Sequence, residues 1–325
     1  MRYFCTYFDR NYLIRGLALY RTLVRHAGPF KMWVLCFDEF TYHALQVLNL
    51  KNMVPISLSE FEQGDDALLA AKEDRNIVEY YFTCSPSLLL YVFNNWPEVD
   101  VLCYLDADLF FYGDPAPIYE EMGLQSILLI PHRFPQGYRW REESFGIYNV
   151  GLLGFRRDSE GLACLRWWRE RCLEWCYDRI EPGRFADQKY LDDWPARFNN
   201  VVVLNHKGAN LAPWNWMNYK IEVRDGNARV DDQALIFYHF HGVKILGKWL
   251  YDTASSGAYE PMPALLKRWL YADYIRELKR TERWVRQRVP EARLGYSSIR
   301  TEAYGLRGLV LKLLRGEVMI DHKFS

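Results

Sequence analysis

The chain has 325 residues, enough for one large domain or for a main domain with an appendage. Half of the residues are hydrophobic and a quarter are charged, and the 41 basic and 41 acidic residues balance, so net charge says nothing directly about partners. No nucleic-acid partner is expected. Residues 1–12 lack the apolar core of a signal peptide, and no apolar run approaches the roughly 20 residues that span a bilayer. These features predict a cytoplasmic protein.

The predicted elements alternate between short apolar runs and segments with helical spacing. The predicted strands lie at residues 2–8, 32–37, 54–58, 101–115 (ending in a Gly-Asp-Pro turn), 126–131, 148–157, 200–205 and 234–242, with a hairpin at 221–230. The predicted helices lie at residues 12–26, 39–50, 65–95 (mostly helical), 162–179, 264–289 and 304–316. This alternation predicts an α/β fold with a mostly parallel sheet flanked by helices.

Charge is distributed unevenly along the chain. Residues 261–325 contain 14 basic and 7 acidic residues, a charge of +7, which leaves 27 basic and 34 acidic residues, or −7, for residues 1–260. We therefore expect a main domain at 1–260 and a basic helical extension at 261–325. Such a tail suits peripheral contact with an anionic membrane, and a solvated pair of basic helices is the alternative.

The seven cysteines are odd in number, and several lie inside apolar runs. They are expected to be buried free thiols in a reducing compartment. Cys172 and Cys176 are one helical turn apart, but no second Cys/His pair nearby would complete a zinc site.

Asp106 and Asp108 follow a buried apolar run, so the chain brings both to the carboxyl edge of the predicted sheet, where open α/β folds bind ligands. Two neighbouring carboxylates repel each other unless a cation lies between them or one is protonated. A hard divalent ion with oxygen ligands, bridging to a substrate diphosphate, would resolve this conflict. A pair of turn or capping aspartates is the alternative.

His239 and His241 end the last predicted strand of the main domain and lie on the same strand face. An imidazole beside two carboxylates suits manganese or a similar ion, although a strand histidine is more commonly part of the core. Lys244 and Lys248 follow, and either could meet phosphate charge or lie on the surface.

Four motifs occur in an order that resembles the GT-A glycosyltransferases: D-x-D after an apolar strand, an N-x-G strand, a D-Q pair and H-x-x-G. The likeness is to the retaining group that includes glycogenin and bacterial lipopolysaccharide galactosyltransferases, and it covers residues 1–250. The resemblance implies transfer of a sugar from a nucleotide-diphosphate sugar, UDP-linked, to a carbohydrate or glycolipid acceptor. It also implies Mn²⁺ or Mg²⁺, retention of configuration, and a role in bacterial surface polysaccharide or lipopolysaccharide assembly.

The resemblance also assigns roles to single residues. Asp106 and Asp108 match the family's metal-binding pair, and His239 matches the third ligand, with His241 as the alternative. Because the family's Lys-Pro-Trp is replaced by VKILGKW, the phosphate-binding lysine stays open between Lys244 and Lys248.

The sugar and nucleotide residues follow in the same way. Asn149 matches the asparagine that contacts the sugars, and Asp187 and Gln188 match the D-Q pair beneath the donor sugar. The first strand and the loop after it, which receive the base and ribose, correspond to Thr6, Asp9, Asn11 and Tyr12. If configuration is inverted instead, the acceptor needs a carboxylate base, for which Asp187, Asp192 and Asp193 are candidates.

Two segments have no counterpart in the resemblance. His132 and Arg133 follow the predicted strand at 126–131, so they could contact sugar or acceptor, and Arg133 could instead pair with Glu142 or Glu143. Trp214 and Asn215 lie in a segment that combines flat apolar rings with amides, which is typical of a carbohydrate-binding surface, while a core tryptophan with capping amides is the alternative.

Three other functions would also account for the acidic pair. A haloacid-dehalogenase-type phosphatase places D-x-D after a buried strand, but near the N-terminus. A non-catalytic nucleotide-sugar-binding protein would keep a degenerate site. A nucleotidyltransferase would need a Gly-rich phosphate loop followed by a lysine, and we find none in the sequence.

Overall fold

The computed structural model describes residues 1–247, 249–254, 259–292, 295–297 and 305–320. The helices are α1 (Leu13–His26), α2 (Glu39–Leu48), α3 (Leu58–Glu62), α4 (Asp66–Glu73), α5 (Ile77–Asn95), α6 (Ala116–Met122), α7 (Trp140–Phe145), α8 (Ser159–Glu174), α9 (Trp194–Arg197), α10 (Ala264–Arg286) and α11 (Gly305–Leu314). Short 3₁₀ turns lie at Gln136–Tyr138, Lys189–Asp193 and Trp216–Asn218.

The strands form one large sheet and three small ones. They are β1 (Arg2–Phe8), β2 (Phe30–Cys36), β3 (Met53–Ser57), β4 (Val101–Leu105), β5 (Leu109–Phe111), β6 (Ile127–Pro131), β7 (Tyr148–Arg156), β8 (Val201–Val203), β9 (Ile221–Arg224), β10 (Asn227–Val230), β11 (Gln233–Ala234), β12 (Phe237–His239), β13 (Lys244–Gly247), β14 (Leu250–Asp252) and β15 (Val318–Ile320).

The large sheet has seven strands in the order β3-β2-β1-β4-β7-β6-β8. All neighbouring pairs are parallel except those made by β7, which runs antiparallel to both β4 and β6. The expected α/β class with a mostly parallel sheet is therefore confirmed. Because β1, β2 and β4 end at the same edge, the loops that follow them meet there.

Apolar side chains cover both faces of this sheet. Alternate residues of one strand enter different cores, so Phe4 packs with α1 and α10 on one face, whereas Cys5 packs with α5 and α8 on the other. Burial on both faces explains why these strands appear in the sequence as continuous apolar runs.

Two predicted strands differ from expectation in a way that forms the site. The segment at 101–115 breaks at Asp106–Asp108, so that β4 stays in the large sheet while β5 leaves it. The predicted strand at 234–242 is also interrupted: Ala234 belongs to β11, and Phe237–His239 form β12, which pairs with β5 and sets His239 opposite Leu109. This two-stranded ribbon holds His239 beside the acidic pair.

The C-terminal segment begins with a helix that shares the main core. On α10, Glu277 is buried and forms ion pairs with Arg21 and Arg25 at 2.5 and 2.8 Å, and Tyr274 stacks on Phe240 with ring centroids 3.9 Å apart. The division at residue 260 stays a prediction, and the helix that follows it packs as part of the first body.

The prediction that the cysteines are buried free thiols is confirmed for all seven residues, and the reducing compartment stays a prediction. Within the part of the chain that the structure describes, no helix combines the length and apolarity required to cross a membrane.

Candidate active site

A cavity of about 930 Å³ opens at the carboxyl edge of the large sheet. Its walls come from the end of β1, the start of α5, the turn between β4 and β5, the segment between β6 and β7, the loop after α8, and the end of β12. The predicted site residues that line it are Asp9, Asn11, Tyr12, Asp106, Asp108, His132, Asn149, Asp187, Gln188, Trp214, His239 and His241. Residues far apart in the chain thus meet in one space.

The acidic edge, which we define as Asp106, Asp108, His239 and His241, forms the floor of this cavity. Nε2 of His239 lies 3.1 Å from Oδ1 of Asp108 and 3.6 Å from Oδ2 of Asp106. The other carboxylate oxygen of Asp106 accepts a hydrogen bond of 2.9 Å from the Tyr104 hydroxyl. One imidazole therefore faces two carboxylates at the end of two strands.

His241 adds a further donor from the rim, where its side chain is exposed. One ligand atom each from Asp108, His239 and His241 lies within 4.8 Å of the others, a spacing that a single cation could bridge. Carboxylate oxygen with imidazole nitrogen suits Mn²⁺ and related ions. The Nδ1 atom of His239 is buried and has no hydrogen-bond partner among the described residues. The donor set fits a divalent metal.

The electrostatics of the edge show a conflict of charge. Burial and the neighbouring charge of Asp108 raise the pKa of Asp106, against the opposing effect of His239. Burial acts in the same direction on Asp108, but the charge and hydrogen bond of His239 outweigh it and lower the pKa of this carboxyl. Burial alone would lower the pKa of His239, and the two carboxylates raise it. A cation bound here would relieve the repulsion between the acids.

Gly151 allows the close approach of His239 to the sheet. A Cβ atom at this position would lie 2.9 Å from two atoms of the His239 ring and 2.5 Å from Oδ1 of Asn149. The same glycine carbonyl accepts a hydrogen bond of 2.9 Å from the backbone N–H of Asp106. The absence of a side chain here therefore positions both the histidine and the acid.

The loop after β1 forms one end of the cavity. Oδ1 of Asp9 accepts hydrogen bonds from the backbone N–H groups of Asn11 and Tyr12 at 2.9 and 3.1 Å, and Oδ2 accepts from the Asn11 amide at 2.7 Å. Tyr81 of α5 adds a hydroxyl 3.4 Å from the same oxygen. Thr6 is fully buried within β1 and does not line the cavity.

Asn149 and Gln188 form the other end, and their side chains fix each other. The Asn149 amide donates to Oε1 of Gln188 at 3.1 Å, while Nε2 of Gln188 donates to the Phe145 carbonyl at 2.8 Å. Oδ1 of Asn149 also accepts from the backbone N–H of Gly151. Both amides are therefore held in one orientation before any ligand arrives.

Asp187 lies at the same end and is buried. Burial raises the pKa of Asp187 to about 7, helped by the charge of Asp106 and opposed by a hydrogen bond with Ser85. Its Oδ2 atom has no hydrogen-bond partner in the described part of the chain. By contrast, Asp192 accepts from the backbone N–H of Ile147 and pairs with Lys189 at 2.9 Å, and neither Asp192 nor Asp193 lines the cavity.

Of the residues in the two segments that have no counterpart in the resemblance, some line the cavity and others do not. Trp214 and His132 wall the cavity, and the Trp214 ring packs edge-on against the rings of His239 and His241. Asn215 is fully buried, does not line the cavity, and donates to the carbonyls of His132 and Asn210.

The side chain of Arg133 does not reach the cavity. Its guanidinium donates to the backbone carbonyls of Leu204, His206 and Ala209, and no ion pair forms with Glu142 or Glu143. The residue adopts a φ of 58°, which turns the side chain away from the direction that the strand before it suggests. Neither of the two expected roles of Arg133 is therefore seen.

Lys244 and Lys248 are the two candidates for a phosphate-binding lysine. Lys244 lies on β13 opposite Asp252 and is not part of the cavity wall, and Lys248 lies outside the described residues.

Sequence reasoning missed several residues of the wall, among them Tyr104, Arg141 and Tyr259. Tyr104 sits two residues before Asp106 on the same strand face, a signal that could have suggested its hydrogen bond. Arg141 and Tyr259 carry no such signal, because more than 100 residues separate them and only the tertiary fold brings them together.

Comparison with known proteins identifies the class of this structure. It matches the galactosyltransferase LgtC in complex with donor and acceptor sugar analogues, with a TM-score of 0.51 and 15% sequence identity over 82% of this chain and 99% of LgtC. A structure of an active-site mutant of LgtC gives the same TM-score at 14% identity, over 84% of this chain and 95% of LgtC. The chain has the GT-A fold of nucleotide-sugar-dependent glycosyltransferases.

Two proteins of Bacillus subtilis (strain 168) are more similar in sequence. The uncharacterized protein YfnF is 36% identical over 252 residues, which cover 75% of this chain and 82% of YfnF. The uncharacterized protein YfnD is 32% identical over 280 residues, covering 82% of this chain and 89% of YfnD. No protein-family model matches the chain. The chain belongs to the family of YfnF and YfnD.

Proposed function

We propose that this protein transfers a sugar from a nucleotide-diphosphate sugar, with Asp106, Asp108 and His239 holding a divalent metal and His241 assisting from the rim. The observation that carries the proposal is the meeting of two carboxylates and two imidazoles within one cavity on a GT-A fold. Mn²⁺ or Mg²⁺ is the metal that such donors would hold. When bound, the metal would supply Lewis-acid stabilisation of charge on a departing diphosphate.

The two ends of the cavity suit the two parts of a donor. At one end, Asp9 is held by Asn11 and Tyr12 with oxygen lone pairs left for a base or ribose, and a UDP-linked donor is the form we propose. At the other end, Asn149 and Gln188 present oriented amides to a sugar.

Asp187 and Gln188 are the residues that we propose to flank the anomeric carbon, with retention of configuration. The support is their place in the cavity wall, because Asp192 and Asp193, the other candidates for a base, lie outside it. Asp187, with its raised pKa near 7, can hold or release a proton at Oδ2 close to neutral pH. Proton NMR of the product would show the anomeric configuration, and an inverted product would refute this assignment.

The binding proposal is tested by calorimetry of UDP with and without Mn²⁺. Wild-type protein should bind UDP more tightly when Mn²⁺ is present, and Asp108→Asn should lose that gain. Asp66→Asn is the matched control, because Asp66 is an exposed acid that does not line the cavity. Manganese-supported UDP binding that is unchanged in Asp108→Asn would overturn the proposal.

The other functions considered from the sequence have less support. The phosphatase needs its acidic pair after the first strand of the fold, whereas here the pair follows β4. A binding protein without activity would show donor binding but no product, so mass spectrometry of a donor and acceptor panel separates it from a transferase.

For the acceptor, we propose a carbohydrate or glycolipid used in bacterial surface polysaccharide or lipopolysaccharide assembly.

We also propose that the protein is cytoplasmic and peripheral at the inner face of the membrane. Support for this membrane contact comes from α11, on which Val310, Leu311 and Leu314 are at least half exposed beside the basic Arg307 and Arg315. Such a face suits the boundary of an anionic leaflet.

Liposome co-sedimentation tests this contact. Because α10 shares the main core, deletion of residues 261–325 would disturb the fold, and point variants are the cleaner choice. The double variant Leu311→Glu with Leu314→Glu should reduce binding to phosphatidylserine vesicles at least fivefold, while Leu124→Glu, at an exposed position elsewhere, should not. Equal binding by all three proteins would refute membrane contact.

A further inference from the structure

Arg141 is a cavity residue that the proposed transfer does not use. It lies on α7, in the segment between β6 and β7. Among the described residues that line the cavity, Arg141 is the sole lysine or arginine, whereas the aspartates are five: Asp9, Asp106, Asp108, Asp178 and Asp187. A permanent positive charge in an otherwise acidic space calls for a functional reason.

Aromatic rings hold the guanidinium of Arg141 in place. Its Cζ atom lies 4.8 Å from the ring centroids of both Trp140 and Tyr259, and 5.9 Å from that of Phe145. Stacking on ring faces fixes the plane of a guanidinium but leaves its N–H groups free to point along that plane. Among the described residues, the side chain is thus positioned by aromatic rings and not by its hydrogen-bond donors.

No described acid satisfies this charge. No described carboxylate forms an ion pair with Arg141, and its Nε atom is buried without a hydrogen-bond partner in the described part of the chain. Arg133 differs in this respect, because its guanidinium donates hydrogen bonds to three backbone carbonyls. A buried donor without a partner costs free energy, which a bound acceptor atom would recover.

The position of Arg141 places it beside the sugar end of the cavity. Phe145, which contacts the guanidinium, accepts the hydrogen bond from Gln188 through its carbonyl. Tyr259 packs on Tyr138, and both contact the cluster of Phe134 and Trp214 that leads to the acidic edge. A second sugar could therefore lie on these ring faces with one substituent at Arg141.

We propose that Arg141 and the rings around it form an acceptor subsite that selects an acidic sugar, one that carries a carboxylate or a phosphate. The guanidinium fork would bind two oxygens of that group, and the acidic walls elsewhere would direct the anion to this one place. This inference deepens the proposed function and rests on it, because only a transferase has an acceptor. The preference of the subsite for an anionic sugar can be measured independently of transfer.

The experiment compares matched probes by ligand-observed NMR titration, on the protein alone and with Mn²⁺ and UDP. The probes are phenyl β-D-glucuronide, phenyl β-D-glucoside and phenyl β-D-glucoside 6-phosphate, which differ only at C6. At least one acidic probe should bind tenfold or more tightly than the neutral one. Arg141→Met should remove that preference, Arg141→Lys should keep part of it, and the neutral probe should change little.

Arg139→Met is the matched control, because Arg139 is exposed, lies two residues away and does not line the cavity. It should keep the full preference. Equal binding of all three probes by wild-type protein, or a preference that survives in Arg141→Met, would overturn the proposal. Manganese-supported UDP binding is measured on the same samples, so a failure of the proposed function appears there and leaves the result for Arg141 to be judged separately.

Discussion

The acidic edge and a hydrogen-bonded junction elsewhere in the fold show opposite uses of polar residues. We define the junction as the Arg133 and Asn215 side chains with the backbone carbonyls that they bind. At the junction, both side chains make several hydrogen bonds to carbonyls. At the acidic edge, Asp106 and Asp108 repel each other, and Nδ1 of His239 has no partner among the described residues.

This difference separates groups that serve the fold from groups that await a ligand. The acidic edge combines repelling carboxylates with an unpartnered imidazole nitrogen in the wall of one cavity, and a bound cation would relieve both. Variants at the acidic edge should therefore reduce ligand binding at little cost in stability, and variants at the junction should do the reverse.

Asp106→Asn should give the largest effect and the sharpest contrast. The amide keeps an oxygen to accept from Tyr104 but removes one charge from the acidic pair. We expect Mn²⁺ affinity to fall about 100-fold, which corresponds to about 2.7 kcal/mol. The unfolding free energy should stay the same or rise by up to about 1 kcal/mol, because the repulsion with Asp108 is gone. Manganese titration followed by electron paramagnetic resonance and urea unfolding measure the two quantities. A large loss of stability would contradict the contrast.

Arg133→Met should show the reverse pattern. Loss of hydrogen bonds to three carbonyls, at about 1 kcal/mol each, should lower the unfolding free energy by about 2–3 kcal/mol. Manganese-supported UDP binding should stay within twofold of wild type. Urea unfolding beside the exposed control Arg139→Met measures the first effect, and strongly weakened UDP binding would show that the junction acts on the site after all.

Gly151→Ala tests whether packing against Gly151 holds the His239 ring in the position needed to bind a metal. The added methyl group would displace His239 or Asn149, so we expect Mn²⁺ affinity to fall about tenfold, as is common when the support of a metal ligand is disturbed. Gly154→Ala on the same strand is the control, because its methyl group would meet Leu128, Met122 and Cys103 instead. Equal metal affinity in the two variants would mean that His239 is not held by this packing.

The buried His132 predicts the pH dependence of stability. Burial lowers the pKa of His132 to about 3, below its usual value near 6.5, so the unfolded chain binds the proton more readily than the folded one. Its contribution is fully present above about pH 6.5 and is lost as the pH falls toward 3. His132→Gln should reduce the acid slope of the unfolding free energy by about 1 kcal/mol per pH unit between pH 6 and 5. Parallel slopes for wild type and His132→Gln would refute this prediction.

Periodicity was sufficient to predict the large sheet and the place of Asp106 and Asp108 at its edge, since both follow from local pattern and strand direction. It could not predict that β5 leaves the sheet to pair with β12, because that pairing joins residues more than 120 positions apart. For the same reason the subsite around Arg141, where α7 meets Tyr259, has no sequence signal. Arg133 had two expected roles and took neither, because its left-handed backbone turned the side chain toward carbonyls of a distant loop.

Anomalous diffraction from a crystal soaked with Mn²⁺ and UDP tests the central claim most directly. We expect a manganese peak in contact with Asp106, Asp108 and His239, with the nucleotide reaching toward Asp9. A peak elsewhere in the cavity, or UDP bound with these side chains left without metal, would contradict it.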